Sequence, residues 1–299
     1  MSDKKTISLY DSLAANYHVQ YSRDTLHNLE LEYPANYFRM QLLINSFIEN
    51  KIFDVVEIGT GEGSPLIQLA KSGMNVCGID ISENMVSKAK DNFTKNGLDP
   101  NQVHWGDIQD PMTYTQLFKQ KFDGLLAMGV MPHVQKDTFV LKNMKNLIKP
   151  GGKVFIEFRN QLFSLFTFNK YTKDFILNEL LRDVDHELKT IVKDELDKRC
   201  SQEKILEDDD SHAIYSSEAK ISYDDLDAKF HNPFEIKKVF LDLGFKDIKL
   251  LFYHYHPAMP ALESKNRELF RSEAMKLEHE QSGWRGLFLC SAFVIEATA

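Results

Sequence analysis

The chain has 299 residues, 43% of them hydrophobic, enough to bury a large core without disulfide staples. Its formal net charge of −8 argues against a nucleic-acid partner, since phosphate binding recruits clustered Lys and Arg. Cys77, Cys200 and Cys290 are too scattered for metal-ligand spacing, which also removes chemistry built on an iron–sulfur cluster.

The first six residues, Met-Ser-Asp-Lys-Lys-Thr, lack a signal-like apolar core, and no uninterrupted apolar segment reaches the roughly 20 residues of a membrane span. The expectation is a soluble, cytoplasmic protein with no membrane partner. Residues 8 to 50 read as a helical lead-in that carries Tyr10, Tyr17 and Tyr21 and is interrupted at Tyr33-Pro34.

Residues 53 to 63, Phe-Asp-Val-Val-Glu-Ile-Gly-Thr-Gly-Glu-Gly, are a short apolar run that empties into Gly59, Gly61 and Gly63. That pattern predicts a buried strand and a tight turn where backbone approaches a ligand closely. Ser64 and Pro65 predict a helix start, with a side-chain cap at the first and a fixed φ at the second. A second apolar run, Met74 to Ile81, carries Asp80, 17 residues past Gly63, where a carboxylate chelates a ribose diol. The unit is built to hold an adenosine-containing cofactor. NAD-binding folds share the strand, glycines, helix and ribose acid. Their third glycine, however, comes in a G-x-x-G/A step, where this chain has Ser64, and the charge of Glu57 would repel a pyrophosphate.

Strand, helix and glycine-rich turn alternate from 53 to 158, which predicts a parallel doubly wound sheet. Phe122 to Met128 reads as the fourth strand, and the turn Lys149-Pro150-Gly151-Gly152-Lys153 precedes a fifth from Val154 to Phe158. From Asn160 to His231 the alternation stops, and this segment reads as a cap inserted between the fifth strand and its following helix. Within it Leu177, Leu181, Val184, Leu188 and Ile191 recur at four-three spacing, predicting one amphipathic helix packed on the core or on the cap rather than in a dimer. Glu207 to Asp210 reads as a solvated loop. Asn232-Pro233 starts a helix, Phe234 to Leu243, that stops at Gly244. The organisation is therefore a lead-in over 1–50, a core over 51–159, a cap over 160–231 and a return to the core over 232–299, with a second insertion at 257–284.

In order and spacing these motifs resemble the class I S-adenosylmethionine-dependent methyltransferases along most of the chain. The resemblance implies an α/β fold: a doubly wound, seven-stranded, mostly parallel sheet with an antiparallel closing strand, here with a helical cap insertion. It implies S-adenosylmethionine as cofactor and S-adenosylhomocysteine as product. Glu57, Gly59, Gly61 and Gly63 stand where the family's glycine loop passes beneath the methionine part, and Asp80 stands at the ribose acid. Asp107, in Val-His-Trp-Gly-Asp-Ile, matches the acid that takes the adenine amino group, with Ile108 beside it. Ile81, Met85 and Met128 complete the cofactor set. Gly129 to Val134 is where family members turn toward the transferred methyl, and Phe245 to Tyr255 with Leu287 to Ala297 match the antiparallel closing pair. Tyr17 falls in a stretch that serves as a lid in small-molecule methyltransferases; its other reading is half-buried packing.

Both insertions leave from the edge at which open α/β sheets bind ligands, so they wall off a pocket suited to a small molecule. Methyl transfer from a sulfonium is an in-line displacement, accelerated by holding nucleophile, carbon and sulfur collinear in a dry pocket. His133 is the candidate base for a hydroxyl or amine acceptor, with pocket shaping as the even alternative. Arg159 and Asn160 are expected to reach the crevice, Arg159 either receiving a carboxylate or phosphate of the substrate or pairing with an acid of the cap. Tyr253 and His254 are read as lining the acceptor side, and Trp284 as an aromatic wall or plain core. His254 and His256 share a face, but without a third ligand the expectation is no metal. The reading is a methyltransferase acting on an oxygen or nitrogen of a small metabolite, a sugar or natural-product intermediate, as monomer or homodimer. The alternatives are a protein or peptide methyltransferase, a non-catalytic cofactor-binding module and, less favoured, an NAD-dependent oxidoreductase.

Overall fold

The computed structural model describes residues 26, 29, 33–118, 120–200 and 229–299. Tyr10, Tyr17, Tyr21 and the acidic run from Glu207 to Asp210 lie outside them. In chain order come α1 (Ala35–Glu49), β1 (Asp54–Ile58), α2 (Ser64–Lys71), β2 (Asn75–Asp80), α3 (Glu83–Lys95), β3 (Val103–Trp105) and β4 (Phe122–Ala127). A 3-10 turn (Met131–His133), α4 (Asp137–Asn146) and β5 (Ile148–Arg159) complete the parallel part. The first insertion carries α5 (Ser164–Thr167), α6 (Lys170–Phe175), a π-helical turn (Ile176–Leu180) and α7 (His186–Cys200). After it follow α8 (Pro233–Asp242), β6 (Lys246–Tyr255), a 3-10 stretch (Pro260–Lys265), α9 (Arg267–Leu277), α10 (Gly286–Leu289) and β7 (Cys290–Thr298).

The seven strands form one sheet in the order β3-β2-β1-β4-β5-β7-β6, with β7 antiparallel to both β5 and β6. Strand order reverses between β1 and β4, and a crevice opens there beyond the carboxyl ends of the strands. The apolar runs are continuous because both faces of the sheet are covered. Val56, Leu125 and Ile156 point to one side, against Leu141 and Met144 of α4 and Phe240 of α8. Their neighbours Val55, Leu126 and Phe155 point to the other, against Leu43 and Phe47 of α1, Leu66 of α2 and Phe93 of α3. The two-residue period of a strand thus fills two cores from one stretch of sequence.

Four local expectations are corrected. Ser64 is the first residue of α2 rather than its cap; Gly63, at φ +89°, precedes it, and Glu62 Oε1 accepts the Ser64 N–H at 3.2 Å. The left-handed φ needed to leave the glycine turn suits glycine at the cap position and makes a serine there unnecessary. The Lys149–Lys153 turn lies inside β5, which bulges there, with Gly151 at φ +81° and its N–H donating to Ala299 O at 3.1 Å. The stripe from Leu177 to Ile191 is not one helix. It breaks between the π-helical turn and α7, where Asp185 Oδ1 caps Glu187 N–H at 2.9 Å, and it leaves Leu188 50% and Ile191 60% exposed. Leu287 to Leu289 belong to α10, so the closing strand starts at Cys290.

The first insertion leaves and returns at one point. Asn160 and His231 form a parallel bridge, His231 N–H donates to Arg159 O at 2.8 Å, and Gln161 N–H donates to His231 O at 3.0 Å. At the return, Asn232 caps α8 by accepting Phe234 N–H at 3.0 Å, and Gly244, at φ +76°, lies beyond its end.

Candidate active site

The crevice at the β1–β4 switch point is a cavity open to solvent on one side. Ten residues singled out from sequence line it: Glu57, Gly59 and Gly61 from the first turn, Asp80, Ile81 and Met85 after β2, Asp107 and Ile108 after β3, and Met128 and His133 after β4. Gly63 does not line it; its part is to start α2. Gly59 has φ +75°, and a Cβ there would stand 2.6 Å from Val130 Cγ2. Gly61 has φ +56° and open space where its Cβ would be, so backbone alone floors this part of the cavity.

The acids are held differently. Asp80 Oδ2 accepts Gly61 N–H at 2.7 Å and Oδ1 accepts Ser82 N–H at 2.8 Å, so one carboxylate joins the glycine turn to the start of α3. Asp107 Oδ1 accepts Gln109 N–H at 2.8 Å. Glu57 is 1% exposed, and its Oε2 is buried with no hydrogen-bond partner among the described residues. Burial pushes its pKa well above the usual carboxylate value, Arg39 pulls it down, and Asp80 and Glu62 push it up.

Sequence reasoning missed Arg39. It is the one Lys or Arg in α1, sits among Met40, Leu42 and Leu43 at 7% exposed, and reaches the cavity wall. Its Nη1 donates to Glu157 Oε2 at 2.8 Å, and the same oxygen accepts Gly129 N–H at 3.1 Å. A cation inside an otherwise apolar helical stripe was the available signal. Glu157, which alternates inward along β5 with no motif around it, gave none.

His133 ends the 3-10 turn after β4. Burial first, and the charge of Arg159 second, push its pKa down to about 4. The residues expected on the acceptor side do not line the cavity. Asn160 is 1% exposed and fully engaged: Nδ2 donates to Leu287 O and Cys290 O, both at 2.8 Å, and Oδ1 accepts Leu162 N–H at 3.1 Å. It closes the root of the insertion. Tyr253 lies behind the cavity, with its hydroxyl against Glu157 and Arg39. His254 stacks on Tyr33 at 5.2 Å and pairs with Ser291 Oγ at 2.9 Å. Its ring is 4.8 Å from that of His256, and among the described residues no three His, Cys, Asp or Glu are grouped to hold a metal ion. Trp284 is 72% exposed, neither wall nor core, with its ring 6.4 Å from Phe288. No helix among the described residues is long and apolar enough to cross a membrane.

Comparison with known proteins gives this geometry a family. A Methyltransferase domain family model matches residues 49–224. A ubiquinone biosynthesis O-methyltransferase of Coxiella burnetii is 31% identical over 155 residues, which are 49% of this chain and 64% of that protein. One of Haemophilus ducreyi is 26% identical over 176 residues, 58% of this chain and 72% of that protein. The chain thus spans about two thirds of the length of these relatives. In fold it is similar to a phosphoethanolamine N-methyltransferase of Haemonchus contortus, with a TM-score of 0.50 at 14% identity, covering 96% of this chain and 57% of that one. With the family model covering more than half of the sequence, the chain belongs to the class I S-adenosylmethionine-dependent methyltransferases.

Proposed function

We propose that this chain transfers a methyl group from S-adenosylmethionine to an oxygen of a small molecule. The observation that carries the proposal is Glu57, a buried carboxylate with an unpartnered oxygen on the wall of a cavity that also holds Asp80 and Asp107. A carboxylate so desolvated is stabilised by a cation that arrives with a ligand. A sulfonium amino acid attached to a nucleoside supplies such a cation, as an ammonium, together with a diol and an exocyclic amine for the other two acids.

When bound, S-adenosylmethionine supplies an electrophilic methyl on a positively charged sulfur. Glu57 accepts from the ammonium, and Arg39, the one Lys or Arg among the described residues of the cavity wall, faces the ligand's carboxylate. Asp80, oriented by its two backbone bonds, accepts from the ribose hydroxyls. Asp107 accepts from the adenine amino group. Ile81, Met85, Ile108 and Met128 exclude water, which strengthens each of these contacts.

His133 is a neutral imidazole at pH 7, because its pKa is pushed down to about 4. A neutral ring nitrogen can accept the proton or hydrogen bond of an acceptor hydroxyl. A base this weak suits an acidic hydroxyl, such as a phenol, better than an alkanol. The relatives' names as O-methyltransferases support oxygen over nitrogen.

Isothermal titration with S-adenosylhomocysteine is the first test; NAD bound in its place would overturn the proposal. Methyl-labelled S-adenosylmethionine incubated with host extracts, read by mass spectrometry, should then yield a small product labelled on oxygen. Label on nitrogen would move the acceptor assignment, and label on protein would replace the substrate class.

A further inference from the structure

The cavity's charges account for a sulfonium nucleoside, but beside His133 lies a second set of groups that they do not use. Arg159, half-buried at the carboxyl end of β5, places its guanidinium carbon 5.9 Å from the Phe230 ring centroid. Phe230 packs at 5.7 Å against Tyr171, and Lys170 Nζ stands 5.1 Å from the Tyr171 ring. The result is a ladder of cation, ring, ring, cation. It is joined to the His133 turn, because Lys229 N–H donates to Pro132 O at 2.9 Å and the Arg159 charge is felt at His133.

This chain has 44 acids against 36 Lys and Arg, and several of its sheltered cations have carboxylates. Arg39 has Glu157, Lys153 has Glu296, Arg271 has Glu263 and Lys229 has Asp137. Among the described residues neither Arg159 nor Lys170 has one. The nearby acid, Asp137, is already neutralised by Lys229 at 2.5 Å and contacted by His231 at 3.3 Å. A ring face uses none of a guanidinium's N–H donors, which stay available for a planar anion.

We infer that the Arg159–Phe230–Tyr171–Lys170 ladder is an acceptor-side subsite for an anionic group, carboxylate or phosphate, on the molecule to be methylated. The inference rests on the reading of the His133 wall as the acceptor side. Arg159 selects the anion, Phe230 and Tyr171 supply flat apolar contact, and the methylated atom lies toward His133.

The His133 ring serves as the reporter, followed by NMR in the complex with S-adenosylhomocysteine. Benzoate and phenyl phosphate are expected to shift it saturably, benzamide is not, and whichever anion saturates lower names the group. Arg159→Gln should raise the apparent Kd on the order of ten-fold or more, with Arg159→Lys between the two and both variants melting as the parent does. Equal responses to benzamide and benzoate would overturn the subsite. So would an unchanged Arg159→Gln, or no response to either anion up to roughly 20 mM, where fragments of this size still bind. If S-adenosylhomocysteine itself fails to bind, the methyltransferase reading falls separately, and the anion arms are still read on the free protein.

Discussion

Glu57 and Asp80 both face the cavity as carboxylates, yet removing their charges should have opposite structural consequences. Asp80 ties two backbone N–H groups at 2.7 and 2.8 Å, so Asp80→Ala leaves buried donors unpaired. It should lower thermal stability and weaken S-adenosylhomocysteine roughly ten- to hundred-fold by titration. The Glu57 charge has no hydrogen bond at Oε2 and is disfavoured by burial. Glu57→Gln should therefore hold or raise the melting temperature while also weakening that ligand, and a loss of both together would show that the charge serves the fold. For His133→Ala, kcat should fall with S-adenosylhomocysteine affinity nearly intact. Parallel losses would make the ring a structural part of the pocket.

At the scale of the element, the glycine turn is the part most closely specified by its residues. Gly59→Ala forces a left-handed φ of +75° on a residue with a Cβ and drives that atom to 2.6 Å from Val130 Cγ2. The expected cost is about 1–3 kcal/mol in denaturant unfolding, and because Val130 lies on the loop bearing His133, turnover should drop more than stability alone accounts for. A fully active, equally stable variant would show that the turn can relax. The same physics explains what was readable in sequence. Gly59, Gly61, Asp80 and Asp107 are legible because one local strand–turn–helix unit fixes each, and a short motif contains the whole constraint. Arg39, Glu157 and Asn160 are not, because their partners lie 118 and up to 130 residues away. The stripe from Leu177 to Ile191 misled because four-three spacing reports which residues are apolar, not whether the backbone continues. Asp185 offered a cap, and the helix restarted there.

Across the whole molecule, buried titratable groups of opposite sign share one pH window. Burial pushes His133 and His256 down to about 4 and His254 well below its usual value, from a reference of 6.5. Between those limits the unfolded chain takes up protons that the folded one refuses, so these groups remove stability as pH falls below 6.5. Glu278 acts in reverse. It bonds the Tyr33 hydroxyl and the backbone N–H of His254 and Tyr255 at 3.2 and 2.9 Å, and burial raises its carboxyl from 4.5 to about 7. The folded state then holds a proton the unfolded one lacks, a contribution complete below 4.5 and lost as pH rises through 7. The shifts of His133 and Glu278 are each worth on the order of 3 kcal/mol at most, so the single carboxyl offsets about that one histidine. Glu278→Gln removes that offset. Its urea midpoint should therefore fall more steeply than the parent's between pH 7 and pH 5, and parallel curves for the two proteins would mean that the Glu278 carboxyl is already ionised across that range.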